Sequence, residues 1–338
     1  MSETLPTTMR AWRRKTYGPA EGVQEERMPV PTPGPGEVLL RIEATALNAG
    51  DVRLMLGDPL LVRPVFGLTR PKQPIRGMDV AGVVVAAGEG VTDAPLGASV
   101  VVELPGGGGL AEYAVAPADR IVVRPDSVGA AAAACIPIAG GTAWQALDAA
   151  GIRSGGAEAP GRRVLVLGAS GGVGTFAVQL AAMRSTEVWA TCGARNGALV
   201  EELGAVRVLD HRSSPLSELP EGHFDAVIDV AGGVPIRVLQ RLVRDGGRVV
   251  LVTGNGGYVL GPLPRMIAAA VLSIGSKRPV RPIAATPKPE IVRELLALFE
   301  ARALQPVIER AYPFAEASAA LAHVAAGHTV GKVVVAAP

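Results

Sequence analysis

Residues 163–182 read RVLVLGASGGVGTFAVQLAA. Val164 to Leu167 form an apolar run of the length of a buried strand. The run passes into Ala169-x-Gly171-x-x-Gly174, and residues of helical composition follow at once. A glycine turn between a strand and a helix is the setting in which a backbone holds a dinucleotide. A missing side chain at Gly171 lets the backbone approach a pyrophosphate, and one at Gly174 lets the helix pack closely on the strand. The helix start adds free N–H groups and a partial positive charge. Ser170, Gly171, Gly172 and Val173 are therefore expected cofactor contacts. A glycine-rich turn without a ligand is the bland alternative.

Outward from this turn, strands and helices alternate. Strands are expected at 163–168, 187–191, 206–209, 225–230 and 247–252, with helices at 172–184, 195–203 and 234–242 between them. That alternation implies a doubly wound parallel sheet. Upstream, from Met9 to about Arg124, short alternating runs are punctuated by Gly and Pro, which suggests a small β-barrel. The rhythm changes near Ser127, where an Ala-rich stretch has helical composition. It changes again near 278, where a helix at 289–303, a strand near 307–311, a helix at 315–326 and a last strand GKVVVAA are expected. The resulting division is 9–130, 131–277 and 278–338, an α/β fold with one domain interrupted by the other.

Composition narrows the function. With 49% hydrophobic and 19% charged residues, the 338-residue chain has ample core and little disorder. Only five of its 33 basic residues are Lys, and no basic run tracks phosphates, which argues against nucleic acid. The longest apolar stretch, 128–150, is broken by Pro137, Gly140 and Gly141, which argues against a membrane span. Two cysteines, Cys135 and Cys192, cannot frame a disulfide scaffold, so a soluble, cytoplasmic protein is expected.

Cofactor choice is read at the end of the strand after the glycine turn. Residues 188–196 read VWATCGARN, with no carboxylate to bind ribose hydroxyls. Arg195 can pair with a 2′-phosphate instead, so NADPH is expected, with Cys192, Gly193 and His211 beside it. The alternatives are a solvated first-turn Arg195 and an ordinary loop His211.

Several segments together resemble the zinc-independent quinone oxidoreductase, or zeta-crystallin-like, group of the medium-chain dehydrogenases/reductases. They are ALNAGDVRLMLG (46–57), PIRGMDVAGVVVAAGEGV (74–91), LAEYAVAP (110–117), the glycine turn, ELGAVRVLD (202–210), FDAVIDVAGG (224–233) and GHTVGKVVV (327–335). The resemblance implies a discontinuous GroES-like β-barrel domain with an inserted Rossmann domain. Zinc-using relatives carry Cys where this chain has Asn48, and a His-Glu pair where it has Met78-Asp79. With Cys135 left as a lone thiol, no metal is expected.

Without a Lewis acid, the substrate oxygen must be polarised by hydrogen-bond donors. The resemblance puts Asn48 and Asp51 at the floor of the substrate cleft, as the catalytic candidates. Asn48 can donate to the substrate oxygen or the cofactor; Asp51 can orient a water or brace the loop; both can also be simple loop caps. It further implies cofactor contacts at Thr142 (or a helix cap), at Ala231, at Thr253 and Gly254, and at Lys332. Two stretches rich in basic residues, 59–76 and 277–282, can be lids favouring an anionic substrate, or solvated loops. The expected activity is NADPH-dependent reduction of an enone, enal or quinone. An enoyl-thioester reductase and a non-catalytic NADPH-binding protein are the alternatives. A homodimer is implied as well, and the apolar run RMIAAAVLSIGS (265–276) can contribute to it.

Overall fold

The computed structural model describes residues 5–153, 161–252 and 256–338. Its contacts divide the chain into Met1–Ile138 with Pro287–Pro338, and Ala139–Thr286. The interruption is as expected. Its joins fall eight and nine residues later than the expected 130/131 and 277/278, because the Ala-rich segment and the stretch after 278 each stay longer with the preceding unit.

In chain order, the first unit contributes β1 (Thr8–Arg13), β2 (Gln24–Pro29), β3 (Glu37–Leu47), α1 (Ala49–Leu56), α2 (Arg63–Phe66), β4 (Asp79–Ala87), β5 (Ser99–Glu103), β6 (Tyr113–Pro117), β7 (Val122–Val123) and α3 (Ala130–Ala134). A π-type turn at Ile136–Gly140 follows, where Pro137 and Gly140 prevent a continuous helix. The second unit holds α4 (Gly141–Ala150), β8 (Arg163–Leu167), α5 (Gly172–Met183), β9 (Glu187–Cys192), α6 (Gly197–Glu202), β10 (Arg207–Asp210), β11 (Phe224–Asp229), α7 (Ile236–Leu242), β12 (Val243–Leu251), α8 (Leu263–Ser273) and β13 (Val280–Pro282). The chain returns to the first unit with α9 (Pro289–Glu300), β14 (Ile308–Pro313), α10 (Ala317–Ala325) and β15 (Lys332–Ala336).

In the first unit, β3 is the hub. It runs 11 residues, long enough to take two partners along one edge. β6 pairs antiparallel with residues 37–41 and β15 with residues 44–47, while β4 follows the other edge. The seven-stranded sheet then extends through β4 to β5 and β7, and through β15 to β14. Val38, Leu40, Val80, Val84, Val100 and Val102 fill one core beneath it. Helix α1 was not foreseen: at eight residues, directly after a strand, it is too short to show a helical period.

The second unit is a six-stranded sheet in the order β10-β9-β8-β11-β12-β13, every pair parallel. The chain winds from β8 outward through β9 and β10, then restarts at β11 on the other side of β8. Ligands of such sheets bind beyond the strand C-termini at that switch. Here the switch brings the end of β8, with its glycine turn, beside the end of β11 at Asp229. Strands β8 and β11 are buried almost throughout, which explains their unbroken apolar letters.

Candidate functional site

The glycine turn is anchored from below, where the N–H groups of Gly168 and Ala169 both donate to the Thr191 carbonyl on β9, at 3.2 and 2.9 Å. A Cβ on Gly174 would stand 2.2 Å from the Gly168 carbonyl oxygen and 2.8 Å from Ala169 backbone atoms. Only glycine lets α5 seat there. A Cβ on Gly171 would meet nothing closer than the Gly168 oxygen at 3.6 Å, an ordinary contact. The fold therefore does not require glycine at 171; a ligand lying against the turn would. Helix α5 also begins without a side-chain cap, leaving the first N–H groups, from Gly172 and Val173 onward, open to an anion.

Beside this turn lies a cavity of about 330 Å³ at the ends of β8, β9 and β11. It gathers five expected contacts, Ser170, Cys192, Gly193, His211 and Ala231. Asn196 Nδ2 donates to Ser170 Oγ at 3.1 Å and so ties the post-β9 segment to the glycine turn. His211 sits over Cys192, its Nδ1 3.0 Å from that residue's carbonyl oxygen. Arg195 is exposed in the short turn Ala194–Asn196. Burial pushes the Cys192 thiol up, so it serves as wall rather than nucleophile. Asp210, at the end of β10, is the nearest carboxylate to His211, at 3.9 Å. It is occupied within its own turn by Arg212 N and Ser213 Oγ.

Thr142 lies in a second cavity of the same unit, of about 320 Å³, on whose wall Arg265 also stands. It is not a helix cap: the residue preceding α4 is Gly140, and no side chain caps that helix. Thr253 and Gly254 fall outside the described residues. The 277–282 stretch is no lid. Val280–Pro282 is strand β13 in the sheet, and Lys277 and Arg278 are paired with Asp245 and Glu221.

The first unit holds a buried polar cluster. Asn48 precedes α1, and Asp51 reaches back to it: Asp51 Oδ2 accepts from Asn48 N at 2.9 Å, and Oδ1 accepts from Gly77 N at 2.8 Å. Asp51 is fully buried with both oxygens occupied. It braces the loop rather than orienting a water. The Asn48 amide donates to Asp79 Oδ2 at 2.9 Å and toward the Ala46 carbonyl at 3.4 Å, and its Oδ1 accepts from Lys332 Nζ at 2.5 Å. No donor of Asn48 is left for a substrate oxygen, which corrects the expectation that it polarises the carbonyl. Lys332 closes the cluster: it is 2% exposed, and its Nζ lies 3.4 Å from Asp79 Oδ2.

Burial pushes the Asp79 carboxyl up to about 6, although Lys332 and Asn48 beside it favour the charged form. Glu103, paired with Asp79 across β4 and β5, is pushed up to about 7 by burial and by the Asp79 charge. The Cys135 thiol, pushed up to about 12, donates to the Ala131 carbonyl at 3.2 Å. Among the described residues, no three His, Cys, Asp or Glu side chains converge as a metal site would need.

Residues 34–126 match the alcohol dehydrogenase GroES-like domain, and residues 203–335 match a domain described as zinc-binding dehydrogenase. A chloroplast envelope quinone oxidoreductase homolog of Arabidopsis thaliana is 39% identical over 334 residues, spanning 97% of this chain and 98% of the relative. The chain belongs to the medium-chain dehydrogenase/reductase family, in its quinone oxidoreductase-like group. A 2-methylene-furan-3-one reductase of Solanum lycopersicum is 31% identical over 348 residues, covering 99% of this chain and 80% of the relative. The quinone oxidoreductase structure from Coxiella burnetii superposes with a TM-score of 0.84 at 26% identity, over 97% of this chain and 99% of that one.

Membership in this family makes the chain an oxidoreductase with a nicotinamide cofactor, and the glycine turn with its open helix start fits that group. Sequence reasoning passed over three members of the polar framework, Asp79, Asp229 and Arg265. A signal for the first two was present, since Asp79 opens the apolar strand of GMDVAGVVV and Asp229 follows the apolar run Ala226–Ile228 in FDAVIDV. A charge in that setting needs a buried partner.

Proposed function

We propose that the protein is an NADPH-dependent, metal-free reductase that passes hydride to an activated C=C or C=O of a small enone, enal or quinone. The observation that carries this reading is Gly171. The fold leaves room for a side chain at that position, yet the residue there is glycine, at an uncapped helix start beside the cavity of about 330 Å³. Bound there, the nicotinamide supplies the hydride. The chain's own part is to hold the phosphates on the first turn of α5 and to offer the 2′-phosphate a segment, Gly193–Asn196, that carries Arg195 and no carboxylate. Metal independence is supported by Asn48 and Met78-Asp79 at the ligand positions of zinc-using relatives, and by a Cys135 thiol held protonated by burial.

We further propose a homodimer, built through the second unit. Met266, Ile267, Val271 and Ile274 are exposed on and just after α8, next in sequence to the edge strand β13. The cytoplasm is the proposed compartment, in keeping with two buried free thiols; no helix among the described residues is long and apolar enough to cross a membrane.

The test is a binding titration with NADPH and NADH, followed by turnover on a panel of enones, enals and quinones. NADPH is expected to bind at least about tenfold tighter, and Arg195→Ala to remove most of that margin. Equal affinity for the two cofactors would overturn the cofactor assignment. An inert panel would overturn the reductase reading.

A further inference from the structure

Residues 59–72 of the first unit read PLLVRPVFGLTRPK. They form the short turn Leu60–Val62, helix α2 and the turn that follows it. The backbone is tied to itself, with Gly67 N donating to the Arg63 carbonyl and Lys72 N to the Phe66 carbonyl, both at 2.8 Å. It is also tied to what lies beneath. Tyr17 Oη donates to the Gly67 carbonyl at 2.5 Å, and Arg63 Nε donates to the Gly57 carbonyl at 3.0 Å. The Arg63 guanidinium lies 4.5 Å from the centre of the Tyr17 ring.

On this frame the apolar side chains face outward. Leu61 is 46% exposed, Val65 65%, Phe66 37% and Leu68 72%. A loose loop hides such side chains by collapsing on itself, whereas a tied one keeps them in water. A persistent apolar patch of this kind marks a contact surface. Its charge is one-sided. From Pro59 to Met78 the sequence carries Arg63, Arg70, Lys72 and Arg76 and no carboxylate. Arg76 is buried and Arg63 holds the frame, but Arg70 and Lys72 are exposed, and neither forms an ion pair among the described residues.

An apolar tip rimmed by uncompensated cations suits the surface of an anionic bilayer. Apolar side chains enter the acyl boundary there, while cations remain among the headgroups. A second copy of the chain suits the patch less well. Four partly exposed side chains offer roughly a few hundred Å², against about 800 Å² per partner in a stable pair. A two-fold contact through the same patch would also bring like charges together.

We propose that residues 59–72 dock the protein on an anionic lipid surface, with Leu61, Val65, Phe66 and Leu68 inserted and Arg70 and Lys72 against the headgroups. The chain then lies on the membrane without spanning it. Docking needs neither cofactor nor turnover, so it is tested apart from the reductase reading.

The experiment sediments the full chain with vesicles of phosphatidylcholine and phosphatidylglycerol in equal parts, and with vesicles of phosphatidylcholine alone, at low and at physiological salt. Binding to the mixed vesicles is expected to be about tenfold tighter or more, and to weaken as salt rises. Val65→Ser/Leu68→Ser should lower binding to the mixed vesicles about tenfold, and Arg70→Gln/Lys72→Gln should remove most of the preference for anionic lipid. Melting curves of both variants should match the parent, because all four side chains are exposed. Failure to bind the mixed vesicles at low salt overturns the proposal. So does binding that both double variants leave unchanged, which would place the contact elsewhere on the surface. An apolar double variant that alters the oligomeric state, or the KM for a water-soluble enone, without altering vesicle binding would assign the segment to a second copy or to substrate, and would overturn it as well.

Discussion

The glycine turn and the Asn48–Asp79–Lys332 cluster are both functional candidates by their letters, and they are built in opposite ways. In the turn the backbone is fixed by Thr191, while the outward N–H groups of α5 have no side-chain cap among the described residues. In the cluster every polar atom named above is matched inside the protein, from the Asn48 amide to the Lys332 ammonium. An unsatisfied rim on a rigid base is what a ligand needs; a closed, buried network is what a domain needs to hold two distant segments together. The same residue types therefore have different work in the two places.

The comparison breaks most sharply at Lys332. Lys332→Met leaves Asp79 buried without its cation and should cost about 3 kcal/mol or more of stability. Without the cation, Asp79 binds its proton more tightly still. The loss should thus be largest above pH 6, where the carboxyl must ionise, and smaller at pH 5, where it stays neutral. Melting curves at the two pH values check this, and an equal loss at both would mean the ammonium acts by packing alone.

Next come the two glycines of the turn. Gly174→Ala drives a methyl into the Gly168 carbonyl and should cost about 3 kcal/mol. Gly171→Ala meets only ordinary contact inside the protein, so its melting temperature should stay nearly unchanged while NADPH affinity drops by about tenfold, or 1.4 kcal/mol. A Gly171→Ala protein that binds NADPH normally would remove the reason for calling the turn open.

An effect that appears only as a change with pH is expected at Glu103. Its carboxyl is raised to about 7, so the folded state favours the protonated form. The stabilisation is complete below the ordinary value of 4.5 and is lost as pH rises through 7. Glu103→Gln removes that dependence. Relative to the parent it should gain of order 1–3 kcal/mol between pH 4 and pH 8. A constant difference across that range would show that Glu103 ionises freely.

The letters carried the second unit well because its signals are local. The switch from strand to helix at Leu167–Gly172 and the close-packed Gly174 can both be read within a few residues of themselves. Helix α8 was legible only as an apolar run, because its exposed residues and its pocket-lining ones follow no clean period. The roles of Asn48 and Asp51 were not legible. What decides them is Lys332, which meets Asn48 from 284 residues further along the chain, and the Gly77 amide. Hydrogen bonds between remote segments leave no trace in spacing. Arg265 was hidden for a similar reason, since its partner Asp229 lies 36 residues upstream on a different element.

The sharing of β3 between β6 and β15 has a consequence for how the chain is made. Residues 44–47 of β3 leave the ribosome early, but their partner Val333–Ala336 belongs to the last strand. Until then that stretch of edge is unpaired, and the Asp79 carboxyl has no ammonium to meet. The six parallel strands of the inserted unit, by contrast, are all synthesised before residue 287 and can close on themselves first. Each new molecule can thus form its glycine turn before β15 is available to complete the outer unit.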